Sequence, residues 1–231
     1  LALDIPVKEK KSIPNRIVGV DLGIEISAYV SLNDKPNIKE KISYKEKGLK
    51  VWTAIQTQRR RLQIDSDSNR SGKGYQRKMK SLEKLKKKEK NFRKNHSHII
   101  SKKIVDFAVK HNAESIHLEK LSFNHKKKKR KNFNDLWSYY QIQIMIVYKA
   151  HKKGIKVYFV DPSYTSQTCS QCGNLEEGQR VRQELFKCKK CGFEANADYN
   201  ASQNIANAKP IEESDLNEKF IKETDDTITS K

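Results

Sequence analysis

The sequence predicts an α/β protein: a mixed sheet with flanking helices, and a small cysteine-rich unit inserted near its end. Three observations predict it. Short apolar runs alternate with longer helical patterns along the chain. Two of those runs end on a carboxylate, at Asp21 and at Glu119. All four cysteines lie late in the chain, in the spacing C-x2-C-x15-C-x2-C.

Residues 1–15 are polar and broken by proline, and read as a linker from domains upstream. The chain opens on Leu1 and its only methionines are Met79 and Met145, so it reads as a piece of a longer protein. Arg16 to Ile24 is a short apolar run with Asp-x-Gly at its end, the pattern of a buried strand that delivers a carboxylate at the sheet edge. Ile26–Leu32 is a second strand, turned by Asn33, Asp34 and Pro36, and Ile38–Tyr44 alternates as a third. After Gly48 the period becomes helical, through Leu49, Trp52, Ile55 and Leu62.

Residues 65–74 are rich in Ser and Gly and read as a loop. From Lys73 to Lys94 there are eleven Lys or Arg and two Glu, with Met79, Leu82 and Leu85 as a thin apolar stripe. This predicts a basic helix with a narrow docking seam, running on through Ile104 and Phe107 to His111. Ser115–Leu121 is a short strand that carries Glu119 near its end. Lys126–Lys131 is a run of six cations in a predicted loop. Leu136–Ala150 is an amphipathic helix and Lys156–Val160 a strand, ended by Asp161 and Pro162. After the cysteines a helix runs from Ala197 to about Ala208. Residues 211–231 hold seven acids against three lysines without periodicity and read as a disordered acidic tail.

The bulk numbers suit a nucleic-acid handler. A formal charge of +20 over 231 residues implies a polyanionic partner. Apolar content of 35% is low, in keeping with one core plus long solvated helices. No apolar run reaches the ~18 residues a membrane span needs. There is no signal peptide either, so a cytoplasmic protein is expected.

Two Cys-x-x-Cys knuckles can present four thiolates tetrahedrally to one ion, a zinc-ribbon pattern. The alternative is two disulfides, for which nothing indicates an oxidising compartment. Cys169, Cys172, Cys188 and Cys191 leave no ligand position open, so one structural zinc per chain is expected rather than a catalytic one. Gly173 and Gly192 follow the second cysteine of each pair, where a tight turn favours positive φ.

Without its insertions the element order is β-β-β-α-β-α-β-α, the layout of a ribonuclease H-like fold. In such a fold the ends of the first and fourth strands meet the last helix at one edge. Asp21, Glu119 and Asp198 occupy those three places. Each has a plain explanation alone: a turn cap, an exposed strand end, and an acid favoured in the first turn of a helix capped by Asn196. Together they would repel one another, and hard divalent cations such as two Mg²⁺ or Mn²⁺ would relieve the conflict. Two such ions ~4 Å apart can hydrolyse a phosphodiester. Asp161 ends its strand, and His96, His98, His111, His117, His125 and His151 are scattered without metal or triad spacing.

The segments GVDLGI, IHLEKL, VDPSYTSQTCSQCG and FKCKKCGFEANADYNASQNIA resemble the C-terminal half of the transposon-encoded TnpB (OrfB) nucleases and the related miniature type V CRISPR effectors. The resemblance covers roughly residues 16–208, and its most specific element is the ribbon followed directly by Ala-Asp-x-Asn-Ala. It implies a RuvC nuclease domain over 16–165 and 197–210, with a basic helical insertion at about 66–111. It also implies a target-nucleic-acid-binding zinc ribbon over 166–196. It puts the catalytic, magnesium-binding acids at Asp21, Glu119 and Asp198 and the zinc ligands on the four cysteines. Guide RNA and target DNA are the implied partners of the full-length protein. The family's N-terminal wedge and recognition domains are absent, and the Lys-rich helix leans toward the CRISPR branch without deciding between the two.

Nucleic-acid contacts are expected from Lys73, Arg77, Lys78, Lys80, Lys84 and Lys87 in the basic helix. A second set is expected from Lys126, Lys127, Lys128, Lys129, Arg130 and Lys131 in the loop. Two readings stand at this point. One is a metal-dependent DNA endonuclease, guided by RNA in its intact form. The other is a nucleic-acid-binding zinc protein with a silent nuclease centre, a guided binder or transposition accessory. An unrelated Holliday-junction resolvase is a distant third. The three acids favour the first.

Overall fold

The structure, a computed structural model, describes residues 11–68, 72–120, 139–182 and 184–211. Residues 1–10 of the expected linker, the six-cation run Lys126–Lys131 and the acidic tail from residue 212 lie outside the described residues.

Three strands form an antiparallel meander: β1 (Ile17–Asp21), β2 (Ala28–Leu32) and β3 (Lys39–Ile42). Two more, β4 (Ser115–Glu119) and β5 (Lys156–Val160), add in parallel on the far side of β1. The sheet is therefore mixed, in the order β3-β2-β1-β4-β5, with the first strand at its centre. Parallel neighbours need a crossover between them. Two helices, α1 (Lys45–Ser68) and α2 (Gly72–Lys110), lie between β3 and β4. A third, α3 (Tyr139–His151), connects β4 to β5.

Strand alternation sorts the two faces. Val18 and Val20 of β1 and Ile116 and Leu118 of β4 point to one face. There they form a fully buried core with Ile100 and Ile104 of α2 and Ile142 and Ile146 of α3. The residues between them, Gly19, Asp21, His117 and Glu119, point to the other face. That face is covered by α4 (Ala197–Asn207), which lies very close because the sheet offers it small groups. A Cβ on Gly19 would stand 2.0 Å from the Ser202 carbonyl oxygen. Ser31 Oγ and Ser202 Oγ share a buried hydrogen bond of 2.7 Å.

The basic helix is continuous for 39 residues from Gly72. The expected loop over 65–74 is shorter than its composition suggests. α1 is helical through Ser68, and only residues 69–71 fall between it and α2. α1 also starts at Lys45, ahead of Gly48. Propensity is a weak prior that tertiary packing overrides. Here the packing is the α1–α2 seam, where Ile55 and Leu85 are buried and Arg59 forms an ion pair with Glu89. The apolar stripe of α2 is only partly covered: Leu85 is buried, while Met79 is 38% exposed. Among the described residues no helix is long and apolar enough to cross a membrane.

Between β5 and α4 lies a second sheet of three short antiparallel strands, β6 (Arg180–Arg182), β7 (Leu185–Lys187) and β8 (Glu194–Ala195). Its small core is Phe186 with Cys169, Cys188 and Ala197.

Candidate metal centres

The four cysteines converge. Their sulfurs all lie within 4.8 Å of one another, with Cys169–Cys191 at 3.8 Å and Cys172–Cys188 at 3.6 Å. A tetrahedron with Zn–S of ~2.3 Å has edges of about 3.8 Å, so the donor set suits a metal such as zinc. None of the four is in a disulfide. Gly173 and Gly192 close the two knuckles at φ 70° and 73°, and their amides bond to the carbonyls of Cys169 and Cys188. The Cys191 amide points at the Cys188 sulfur at 3.4 Å. Burial acts to raise the Cys188 thiol, but the amides of Cys191 and Lys190 and the neighbouring thiols hold it down at about 6, while Cys169 is raised by burial and Cys191, with the other thiols against it, goes up to about 12. A thiolate is the form a metal needs.

Asn200 ties the cysteine-rich unit to α4. Fully buried Asn200 accepts from the Ser170 amide at 2.9 Å and donates to the Thr168 carbonyl at 2.8 Å. This gives the Ala-Asp-x-Asn-Ala motif a structural role: its asparagine fixes the first knuckle against the helix that carries Asp198.

The second centre sits at the open end of β1 and β4. Val20 pairs with Leu118, so the register continued by one residue sets Asp21 beside Glu119. Both face α4, whose first turn holds Asp198. Asn196 caps that turn, its side chain accepting from the amides of Asp198 and Tyr199. Burial, then the charges of Glu119 and Asp198, push the carboxyl of Asp21 up to about 8, with Arg180 opposing. Glu119 is also raised by burial, against a hydrogen bond donated by the Thr165 hydroxyl. Asp198 is raised by burial and pulled back by Arg180. Among the described residues only the cysteines gather their ligand atoms within 4.8 Å, so the three carboxylates are set more loosely.

Three groups around the acids were not singled out by the sequence reading. Arg180, at the start of β6, donates to Asp198 Oδ1 at 2.9 Å. The cysteine-rich unit thus reaches into the acidic centre, a contact across 18 residues that no local pattern announces. Thr165 is buried and holds Glu119. Tyr139, at the head of α3, has its phenol raised to about 12 by burial and by the charges of Asp21 and Glu119. An acid trio of buried Asp198 and half-buried Asp21 and Glu119, with an arginine at its rim, can hold hard divalent cations, since oxygen donors and unbalanced negative charge both favour them.

Of the expected nucleic-acid residues, Lys73, Arg77, Lys80, Lys84 and Lys87 are exposed along α2, while Lys78 is half-buried. Those of the loop, Lys126 to Lys131, are outside the described residues.

Comparison with known proteins gives a consistent result. Residues 139–205 match the family model "Cas12f1-like, TNB domain". The chain is 39% identical over 205 residues to a CRISPR-associated endodeoxyribonuclease Cas12f1 from Sulfoacidibacillus thermotolerans, covering 83% of this chain and 45% of the relative. It is 34% identical over 135 residues to a TnpB-like protein of Methanocaldococcus jannaschii, covering 55% of this chain and 47% of that one. A solved Cas12f1–sgRNA–target DNA complex contains a chain of similar fold, with TM-score 0.65 and 26% identity over 86% of this chain and 51% of its own. The chain therefore spans about half the length of the relatives it matches.

Proposed function

The chain belongs to the family of TnpB proteins and miniature type V CRISPR effectors of the Cas12f type, and from that kinship we propose that it is the nuclease half of an RNA-guided DNA endonuclease. In this reading the five-stranded sheet with α4 is a ribonuclease H-like RuvC domain, made of residues 16–165 and 197–210. The cysteine unit over 166–196 is a zinc ribbon inserted before the last acid. Guide RNA and target DNA bind the full-length protein, and the exposed cations of α2 supply phosphate contacts within this half.

The observation that carries the proposal is the meeting of half-buried Asp21 with Glu119 beside it in the sheet and Asp198 facing it from α4, with Arg180 at the rim. Three acids drawn together and partly withdrawn from water are costly unless cations join them. Asp21, Glu119 and Asp198 would hold two Mg²⁺ or Mn²⁺ ions. Such ions, when bound, activate a water and stabilise the leaving oxygen of a phosphodiester. The chain's own residues do the positioning. Thr165 fixes one oxygen of Glu119, so that carboxylate presents its other oxygen to the centre. Arg180 holds Asp198 and stands beside the carboxylates, where a charge-assisted donor would meet the scissile phosphate. The silent-binder reading has no need of these supports.

The test is cleavage by the full-length protein with its guide RNA. Asp21→Ala, Glu119→Ala and Asp198→Ala each abolish Mg²⁺-dependent cutting while leaving target binding nearly unchanged. Arg180→Ala leaves the acids in place and lowers the cutting rate by about 10²-fold or more. Wild-type cutting by any of the three acid variants would remove that residue from the centre.

A further inference from the structure

Among the described residues three non-glycines have left-handed backbone: Asn15 at φ 60°, Asn112 at 53° and Tyr164 at 64°. Asparagine tolerates this conformation because its short polar side chain bonds locally. An aromatic residue has no such compensation, and a bulky side chain at positive φ is a true outlier. A glycine would adopt the same backbone without strain. What tyrosine adds at this position is therefore its ring, and the ring adds little packing, since the residue is 60% exposed.

The strain is held by the residues around it. The Tyr164 carbonyl accepts from the Gln167 amide at 3.0 Å and from the Thr168 amide and hydroxyl, both at 2.9 Å. Asn204 of α4 donates to the carbonyls of Thr165 and Thr168, both at 2.7 Å. The next residue, Thr165, is the one whose hydroxyl holds Glu119. The backbone that carries an exposed aromatic ring is thus fixed, at an energetic cost, one residue from the threonine that holds Glu119. Strain that the surroundings over-determine clusters at functional sites.

We propose that Tyr164 is a nucleobase-stacking residue, its ring receiving a base of the single strand led to Asp21, Glu119 and Asp198. The proposal rests on the nuclease reading for the strand's identity and on the Tyr164 geometry for the contact. Stacking on an aromatic side chain suits a guided enzyme, because every base has a π-face and the contact tolerates any sequence. The +20 charge of the chain favours a polyanionic occupant over a protein one. Tyr164 would fix the register of the strand and leave sequence choice to base pairing elsewhere.

The experiment uses the 231-residue chain. Single-stranded oligonucleotides carry 2-aminopurine at successive positions, and fluorescence is read with Mg²⁺ and Mn²⁺ omitted and no chelator present, so that nothing is cut and the cysteines keep their metal. Wild type quenches the probe, and Tyr164→Phe and Tyr164→Trp retain the quench. Tyr164→Leu and Tyr164→Gly lose it and bind roughly tenfold more weakly. The glycine variant loses the quench while melting at the same or a higher temperature, because it relieves the strain; a misfolded variant would melt lower. A wild-type chain that quenches no position, or a Tyr164→Gly chain that quenches as wild type does, overturns the proposal. Failure of the full-length protein to cut with Mg²⁺ would overturn the nuclease reading instead, and the Mg²⁺-free fluorescence measurement separates the two.

Discussion

Burial, then the charges of Glu119 and Asp198, push the carboxyl of Asp21 from an ordinary 3.8 up to about 8. The folded, metal-free chain therefore holds this proton more tightly than the unfolded chain does. Stability from the group is full below the unfolded value and is lost as pH rises toward about 8. Without added Mg²⁺ or chelator, the melting temperature of wild type should fall relative to Asp21→Asn between about pH 5 and pH 8, and the gap should then level off. A gap of roughly 5–10 °C at pH 8 is expected. Adding Mg²⁺ at pH 8 should raise wild type more than the variant, because the ionised carboxylate is what a cation binds. Melting curves that run parallel across the whole pH range would mean that Asp21 is not the strained acid of the site.

Elements meet here through a few contacts that do not tolerate change. Gly19 is where α4 lies on β1, and an added Cβ would meet the Ser202 carbonyl oxygen at 2.0 Å and the Ala206 amide at 2.5 Å. Both are backbone atoms, so the helix itself must move. Gly19→Ala should cost at least the ~1–3 kcal/mol typical of overpacking. It should also shift Asp198, and calorimetry together with a cleavage assay checks both effects. The ribbon has a parallel dependence. Its buried core is one phenylalanine and a few small groups, so folding should be coupled to metal binding at the four cysteines. Cys172→Ser should release zinc, unfold residues 166–196 and leave the main sheet formed. Because Arg180 sits on the ribbon and holds Asp198, the same change should reduce cutting even with Mg²⁺ in excess. Elemental analysis and cleavage rates measured side by side would show whether the two losses travel together.

At the scale of the whole molecule, the charge of +20 is distributed unevenly. α2 runs 39 residues, about 58 Å at ~1.5 Å per residue, with Lys73, Arg77, Lys80, Lys84 and Lys87 exposed along it. Each cation that neutralises a phosphate on duplex DNA adds ~0.9 to the slope of log affinity against log salt. The chain alone should bind matched and scrambled duplexes alike, since base pairing with a guide supplies sequence choice in such systems. Replacing those five residues with Gln should flatten the salt slope by several units for both duplexes. An unchanged slope in salt titrations would place the nucleic-acid path elsewhere on the surface.

The order of strands and helices, the four cysteines with their turn glycines, and the Asn196 cap before Asp198 were legible in the sequence. Each is a local pattern: strand alternation, helical period and ligand spacing all act within a few residues of chain. The sheet's partner order placed Asp21 and Glu119 side by side, as the succession of elements implied. Only the tertiary structure decided the rest. The serine-rich stretch after Ile64 stays helical through Ser68 because α1 is held by its seam with α2. Arg180 finds Asp198, Thr165 finds Glu119 and Gly19 admits α4 because separate elements are packed against one another. Such contacts depend on distances between elements, which no spacing within one segment encodes. The left-handed backbone of Tyr164 is the sharpest case. Its own sequence disfavours that conformation, and bonds from Gln167, Thr168 and, through Thr165, from Asn204 impose it.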